Sequence, residues 1–201
     1  DAMVRHPNVR RVGVVGSVAT GKIIAKAAAD DLTHVTFELG GKNPIIIFPD
    51  ANPKQAAGYA VKGMNMNRQG QSCSSTSRVL VHRDLHDAVL EEMVQLVEQL
   101  PVGLPWIEEN ELGPVVSEMQ YKKILEFISS AKKDGAQLIT GGSSPEEEEL
   151  KNGFFIQPTI FDQVKPEMKI GKEEIFGPVL SVFKWDDYEK MLSVANGIEY
   201  G

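Results

Sequence analysis

The stretch GVVGSVATGKIIAK, Gly13 to Lys26, constrains the fold more than any other part of the chain. A short β-branched run enters a glycine turn there, and a run rich in Ala, Lys and Ile leaves it. This predicts strand, turn and helix in that order, with a strand over Val12–Val15 and a helix over Lys22–Ala29. The order then recurs. Strands over His34–Leu39 and Ile45–Phe48 are separated by the breakers Gly40, Gly41 and Pro44, and Asn52 caps a helix from Pro53 to about Met66. Ser77–His82 reads as a strand and Leu85–Leu100 as an amphipathic helix, apolar at Val89, Met93, Leu96 and Val97. Beyond a Pro/Gly-rich connection over 101–114, the pattern predicts a helix over Ser117–Lys133 and a strand over Gln137–Thr140. Two further strands lie in FFIQPTIF and PVLSVFKW, and a last helix runs from about Asp187 to Ala195. Such alternation predicts an α/β fold with a mostly parallel sheet flanked by helices.

A glycine turn between strand and helix can cradle a phosphate, but this one satisfies neither common motif. From Gly16 the pattern G-x-x-x-x-G-K is complete through Lys22, yet Ile23 stands where a nucleotide-triphosphate loop needs a hydroxyl for Mg²⁺. The dinucleotide fingerprint G-x-G-x-x-G fails as well, because Val15 occupies the place of its second glycine.

The charge narrows the partners. A net charge of −7, with 28 acids against 21 scattered Lys and Arg, argues against nucleic acid, which requires a basic stripe. Glu146–Glu149 reads as a solvated loop. No run approaches the ~18 apolar residues of a membrane span, and DAMVRHPNVRR lacks the apolar core of a signal peptide. One cysteine among 201 residues excludes an internal disulfide framework and suits a reducing compartment, so a cytoplasmic or organelle-matrix setting is expected. The chain opens without an initiator Met in what reads as the middle of an α/β unit, as an excerpt of a longer protein would.

Cys73 is the first candidate for chemistry. It stands in NRQGQSCSSTSR, a polar loop with nothing apolar to bury a thiol, so the sulfur is expected to be exposed and attackable. None of the four histidines is aimed at it by the sequence, and His6, His34, His82 and His86 read as surface or structural residues. Glu38 is the better partner: it ends VTFE just before Leu39-Gly40-Gly41, and ligands of α/β sheets gather beyond strand carboxyl ends. A third element, KEEIFGPVLSV, sets two acids before an aromatic and a Gly-Pro turn. Trp106 and Trp185 read as packing residues, and Met64 and Met66 as core or the lining of a substrate tunnel.

In order along the chain, GVVGSVATGKII, VTFELGGKNPIIIFPDA, RQGQSCSSTSRVLVH, GFFIQPTIF and KEEIFGPVLSVFKW closely resemble the NAD(P)-dependent aldehyde dehydrogenase superfamily. The resemblance implies that Cys73 is the nucleophile, forming a thiohemiacetal and then a thioester, and that Glu38 is the general base that hydrolyses it. It implies that Gly16, Ser17 and Gly21 form a variant dinucleotide loop for NAD or NADP. Leu39 would meet the nicotinamide through its backbone, Glu174 would bind the nicotinamide ribose, and Phe176 would stand beside that end of the cofactor. Lys22 then becomes a surface helix residue. Residues 1–40 would be the end of the coenzyme domain and 41–201 a catalytic domain truncated at its C-terminus. The full-length protein would act on a small-molecule aldehyde as a homo-oligomer, a dimer or tetramer. The competing reading is a truncated, inactive fragment serving at most as a structural or binding module.

Overall fold

A computed structural model describes residues 2–200. The chain forms two compact units: one runs up to Gly41 and takes in Tyr200, and the other is Lys42–Glu199.

The first unit is a β-α-β element. Strands β1 (Arg11–Val15) and β2 (His34–Glu38) pair in parallel, Arg11 opposite His34 and Val15 opposite Glu38, joined by helix α1 (Val18–Ala29). The helix starts four residues earlier than the composition predicts, because Ser17 takes extended backbone and its Oγ accepts the Thr20 N–H at 3.2 Å. A hydroxyl in that position satisfies a donor that would otherwise be orphaned, so the N-terminus moves to it. Val4, Ala27 and Ala28 form the small core of this unit, against Val12, Ile24 and Val35.

The second unit is built on a five-stranded sheet of order β3-β4-β7-β6-β5. Its strands are β3 (Pro44–Ile47), β4 (Arg78–His82), β5 (Gln137–Thr140), β6 (Thr159–Asp162) and β7 (Val179–Trp185), and only the β5–β6 pair is antiparallel. Around them lie α2 (Pro53–Gly63), α3 (His86–Glu98), α4 (Glu118–Asp134), the single turn α5 (Lys169–Lys172) and α6 (Tyr188–Asn196), with a 3₁₀ turn at Met66–Arg68. A sheet covered on both faces has near-continuous apolar strands. Along β4, Leu80 joins one core with Ile124, Phe127, Ile128 and Met191, while Val79 and Val81 join the other with Ala60, Met64, Val89 and Met93. Met64 and Met66 are core residues.

Two further expectations need correction. Of FFIQPTIF only the last three residues are strand, Thr159 to Phe161, which β6 extends by Asp162. Pro158 lacks a ladder N–H, and the residues before it bond elsewhere, Phe154 O to the Val115 N–H and the Gln157 N–H to Ser143 O, both at 2.9 Å. Trp106 does not pack: it stands 76% exposed in the turn-rich connection, whereas Trp185 is half-buried, edge-on to Phe48 and His82, with its Nε1–H on the Leu80 carbonyl. The Glu146–Glu149 run is an exposed loop and Lys22 is exposed, as the sequence predicts.

Candidate active site

Within the first unit, Gly16, Ser17, Glu38 and Leu39 meet where the two parallel strands end. The Gly16 N–H donates to the Glu38 carbonyl at 3.1 Å, which ties the glycine turn to the tip of β2 and leaves the Glu38 side chain exposed. Gly21 lies inside α1, not in the turn before it, and its need for glycine is one of space. A Cβ there would come within 2.9 Å and 3.1 Å of the two Leu39 methyl carbons, so glycine lets the helix lie against Leu39. The start of α1 is suited to an anion: it is exposed, carries the Ser17 hydroxyl, and has no acid in its first turn.

Within the second unit, Cys73 is exposed in a loop held at several points. Gln69 and Gly70 both have positive φ, 54° and 63°, which reverses the chain after the 3₁₀ turn. The Ser75 side chain is buried and donates to the Met64 carbonyl at 2.9 Å, and the Thr76 N–H donates to the Gly63 carbonyl at 2.9 Å. Gly70 packs directly on the loop that carries Glu174 and Phe176, since a Cβ at Gly70 would stand 2.4 Å from the Gly177 carbonyl oxygen.

The Glu174–Phe176 loop is held from α4. Gln120 Nε2 donates to the carbonyls of Ile175 (2.9 Å) and Phe176 (2.8 Å), and Lys123 Nζ donates to the Glu174 carbonyl at 3.1 Å. Phe176 has φ +58°, a left-handed conformation that a bulky residue adopts only where its surroundings impose it. Glu174 and Phe176 are both half-buried.

Lys42 is the electrostatic anomaly. It is 1% exposed and its Nζ finds no hydrogen-bond partner among the described residues. Burial above all, with the Arg78 charge, lowers its amine to a pKa of about 7 against the opposing pull of Glu174 and Glu173.

An exposed thiol on a braced turn beside an acid-aromatic loop, together with a β-α-β unit ending in a carboxylate and a glycine-serine turn, coincides with a known sequence pattern. The profile of the aldehyde dehydrogenase family matches residues 1–201. The chain belongs to the aldehyde dehydrogenase family. It is 45% identical over 199 residues to a betaine aldehyde dehydrogenase of Sinorhizobium fredii, covering 99% of this chain and 40% of that protein. It is 43% identical over 205 residues to the aldehyde dehydrogenase tropH of Talaromyces stipitatus, covering 100% of this chain and 40% of that protein. Among solved structures it is similar to the NAD⁺ complex of an aldehyde dehydrogenase from Bacillus cereus, with a TM-score of 0.93 and 40% identity over 100% of this chain and 40% of that one. A 3,6-anhydro-L-galactose dehydrogenase in complex with NAP gives a TM-score of 0.95 at 34% identity, over 98% and 41% of the two chains. The chain thus spans about 40% of the length of these aldehyde dehydrogenases.

Sequence reasoning does not find three residues beside the Cys73 and Glu174–Phe176 loops of the second unit: Asn43, Lys42 and Gln120. Asn43 and Lys42 stand inside the ELGGKNP stretch that carries the family resemblance, but no spacing says which carbonyls an asparagine reaches or that a lysine is buried. Gln120 lies three residues after its N-cap Ser117, where it reads as an ordinary first-turn residue.

Proposed function

We propose that the protein containing this chain oxidises an aldehyde to a carboxylic acid with NAD or NADP, residues 1–40 closing its coenzyme domain and 41–201 forming most of its catalytic domain. The observation that carries this reading is Cys73, exposed on a rigidly braced loop that packs against the Glu174–Phe176 loop. In this mechanism the Cys73 thiolate adds to the aldehyde carbon, and the Cys73 backbone N–H donates to the oxyanion that forms. When bound, NAD or NADP supplies the hydride acceptor. Loss of hydride leaves an acyl thioester on Cys73. Glu38 takes a proton from the water that attacks it, so the carboxylic acid departs and the thiol is restored.

The chain's own residues fit the dinucleotide. The Ser17 hydroxyl and the first N–H groups of α1 would offer donors to a pyrophosphate beside Gly16, and Gly21 lets the helix lie against Leu39, whose backbone would meet the nicotinamide. Glu174 would accept from the ribose hydroxyls and Phe176 would stand beside the same end of the cofactor. Betaine aldehyde is the first substrate to test, because relatives at 40–45% identity carry that name. We assign the full protein to a cytoplasmic homo-oligomer, a dimer or tetramer; no helix among the described residues is long and apolar enough to cross a membrane.

A single-turnover assay of the complete protein with NAD or NADP and a panel of aldehydes tests the reading. Nicotinamide reduction should appear as a burst, vanish in Cys73→Ala, and persist without steady turnover in Glu38→Gln. A burst that survives Cys73→Ala, or none with any aldehyde, sinks it.

A further inference from the structure

Asn43 sits half-buried immediately before β3, and both contacts of its side-chain amide fall on the cysteine loop. Nδ2 donates to the Cys73 carbonyl at 2.7 Å and to the Ser75 carbonyl at 3.1 Å. The residue is itself fixed on both sides. Its carbonyl accepts the Arg78 N–H at 3.2 Å, the Lys42 carbonyl before it accepts Arg78 Nε at 2.7 Å, and Pro44 after it stands opposite Arg78 in the β3–β4 ladder. Arg78 in turn is buried and anchored to the carbonyls of Val194 and Ala195 at the end of α6. The Asn43 amide is therefore a rigid arm reaching from the sheet to the loop.

We propose that Asn43 is a positioning residue for Cys73, fixing the direction of its Cα–Cβ bond by clamping the peptide group that follows it. That peptide is held at both ends: its C=O accepts from Asn43, and its N–H, on Ser74, donates to Ser72 Oγ at 3.4 Å. With the Cys73–Ser74 plane held, rotation about ψ of Cys73 is restrained, and the thiol and its own N–H can face one reacting carbonyl together. An exposed loop without this arm keeps the Ser75 anchor but frees the cysteine carbonyl to turn toward water. A displacement of about 1 Å is enough to cost on the order of a hundredfold in rate.

The inference rests on the reading of Cys73 as the nucleophile, and the experiment separates the two. In the complete enzyme, Asn43→Ala and Asn43→Asp, which both remove the donor, are compared with Cys73→Ala. The readouts are kcat, the KM for the nicotinamide cofactor, and the rate of iodoacetamide alkylation of the Cys73 peptide against pH. Both Asn43 variants should lower kcat by about tenfold to a hundredfold, leave the cofactor KM within about twofold, and alter the alkylation rate. If turnover survives Cys73→Ala, the nucleophile reading has failed. If Cys73→Ala abolishes turnover while Asn43→Asp keeps wild-type kcat and alkylation, Asn43 does not position the thiol. Should Asn43→Ala prove unfolded, Asn43→Leu, which fills the amide's volume without a donor, is read by the same alkylation profile, and a wild-type profile there also overturns the inference.

Discussion

His86 Nε2 lies 2.8 Å from Asp162 Oδ1, both side chains almost wholly buried, while His86 Nδ1 lies 2.7 Å from the exposed carboxylate of Asp87. Two acceptors on two ring nitrogens favour the imidazolium, which donates through both. The bond to Asp162 first, and that to Asp87 after it, raise the His86 pKa above its ordinary value against the opposing effect of burial. A raised folded-state pKa means stabilisation that is complete below about pH 6.5 and lost as pH rises through the folded value. Asp87 is held below the ordinary carboxylate value, so its share is lost only when pH falls through that lowered value. Replacing His86 by Ala strands a buried carboxylate and should cost about 3 kcal/mol. Thermal unfolding from pH 5 upward checks this: the wild type's midpoint advantage over His86→Ala should narrow as pH rises above about 6.5, and a constant gap would contradict the assignment.

Lys42 predicts the opposite sign. Burial lowers its amine to about 7, so the folded state carries the full cost of a buried charge at and below pH 7. Between about 7 and 10.5 the unfolded chain binds more protons than the folded one, and stability rises with pH. Lys42→Met should therefore raise the unfolding midpoint at pH 6 and lose that gain progressively toward pH 10. A midpoint lowered equally at both ends would show that the amine is paired in solution.

Gly70 combines φ +63° with a Cβ position 2.4 Å from the Gly177 carbonyl oxygen, a backbone atom that cannot swing aside. Gly70→Ala should destabilise by about 2 kcal/mol or more, through strain and separation of the two loops. The unfolding midpoint and the reactivity of Cys73 toward iodoacetamide should fall together. Gly135→Ala is the control: its φ is also positive, +91°, but nothing lies within 4 Å, so the loss should be smaller and Cys73 unaffected.

Gln120→Ala removes both side-chain hydrogen bonds to the Ile175 and Phe176 carbonyls and leaves Phe176 in a left-handed conformation with less to impose it. The loop should relax, weakening the cofactor by about tenfold, which corresponds to roughly 1.4 kcal/mol. A fluorescence titration with NAD reads the loss, and kcat at saturating cofactor should stay near wild type. Unchanged affinity would mean that the loop holds its shape without α4.

The alternation of β-branched and helix-forming runs was enough to predict an α/β chain, because strand and helix periodicities are local and the breakers between them are Gly, Pro and Asn. Cys73 in a polar loop and Glu38 at a strand tip before two glycines were legible for the same reason: exposure and turn chemistry are written in a few neighbouring residues. The start of α1 was misplaced because its cap is a serine in a glycine-rich stretch that also reads as a loop, and only the Ser17–Thr20 bond decides between them. FFIQPTIF read as one strand because its composition is apolar, but pairing with Val115 and Ser143 divides it, and partners so distant in sequence leave no local signal.

What the sequence determined by itself is the order of elements, the family and the residue types available for chemistry, since these follow from short-range propensity and from motif. Tertiary structure alone decided that Asn43 reaches the carbonyls of Cys73 and Ser75, that Gln120 grips the Phe176 loop, that Gly70 rests on Gly177, and that the Lys42 amine is buried. Each of these depends on which segments the sheet brings side by side. Hydrogen bonds a few ångströms long between groups 30 to 56 residues apart are set by packing and topology, not by neighbours along the chain.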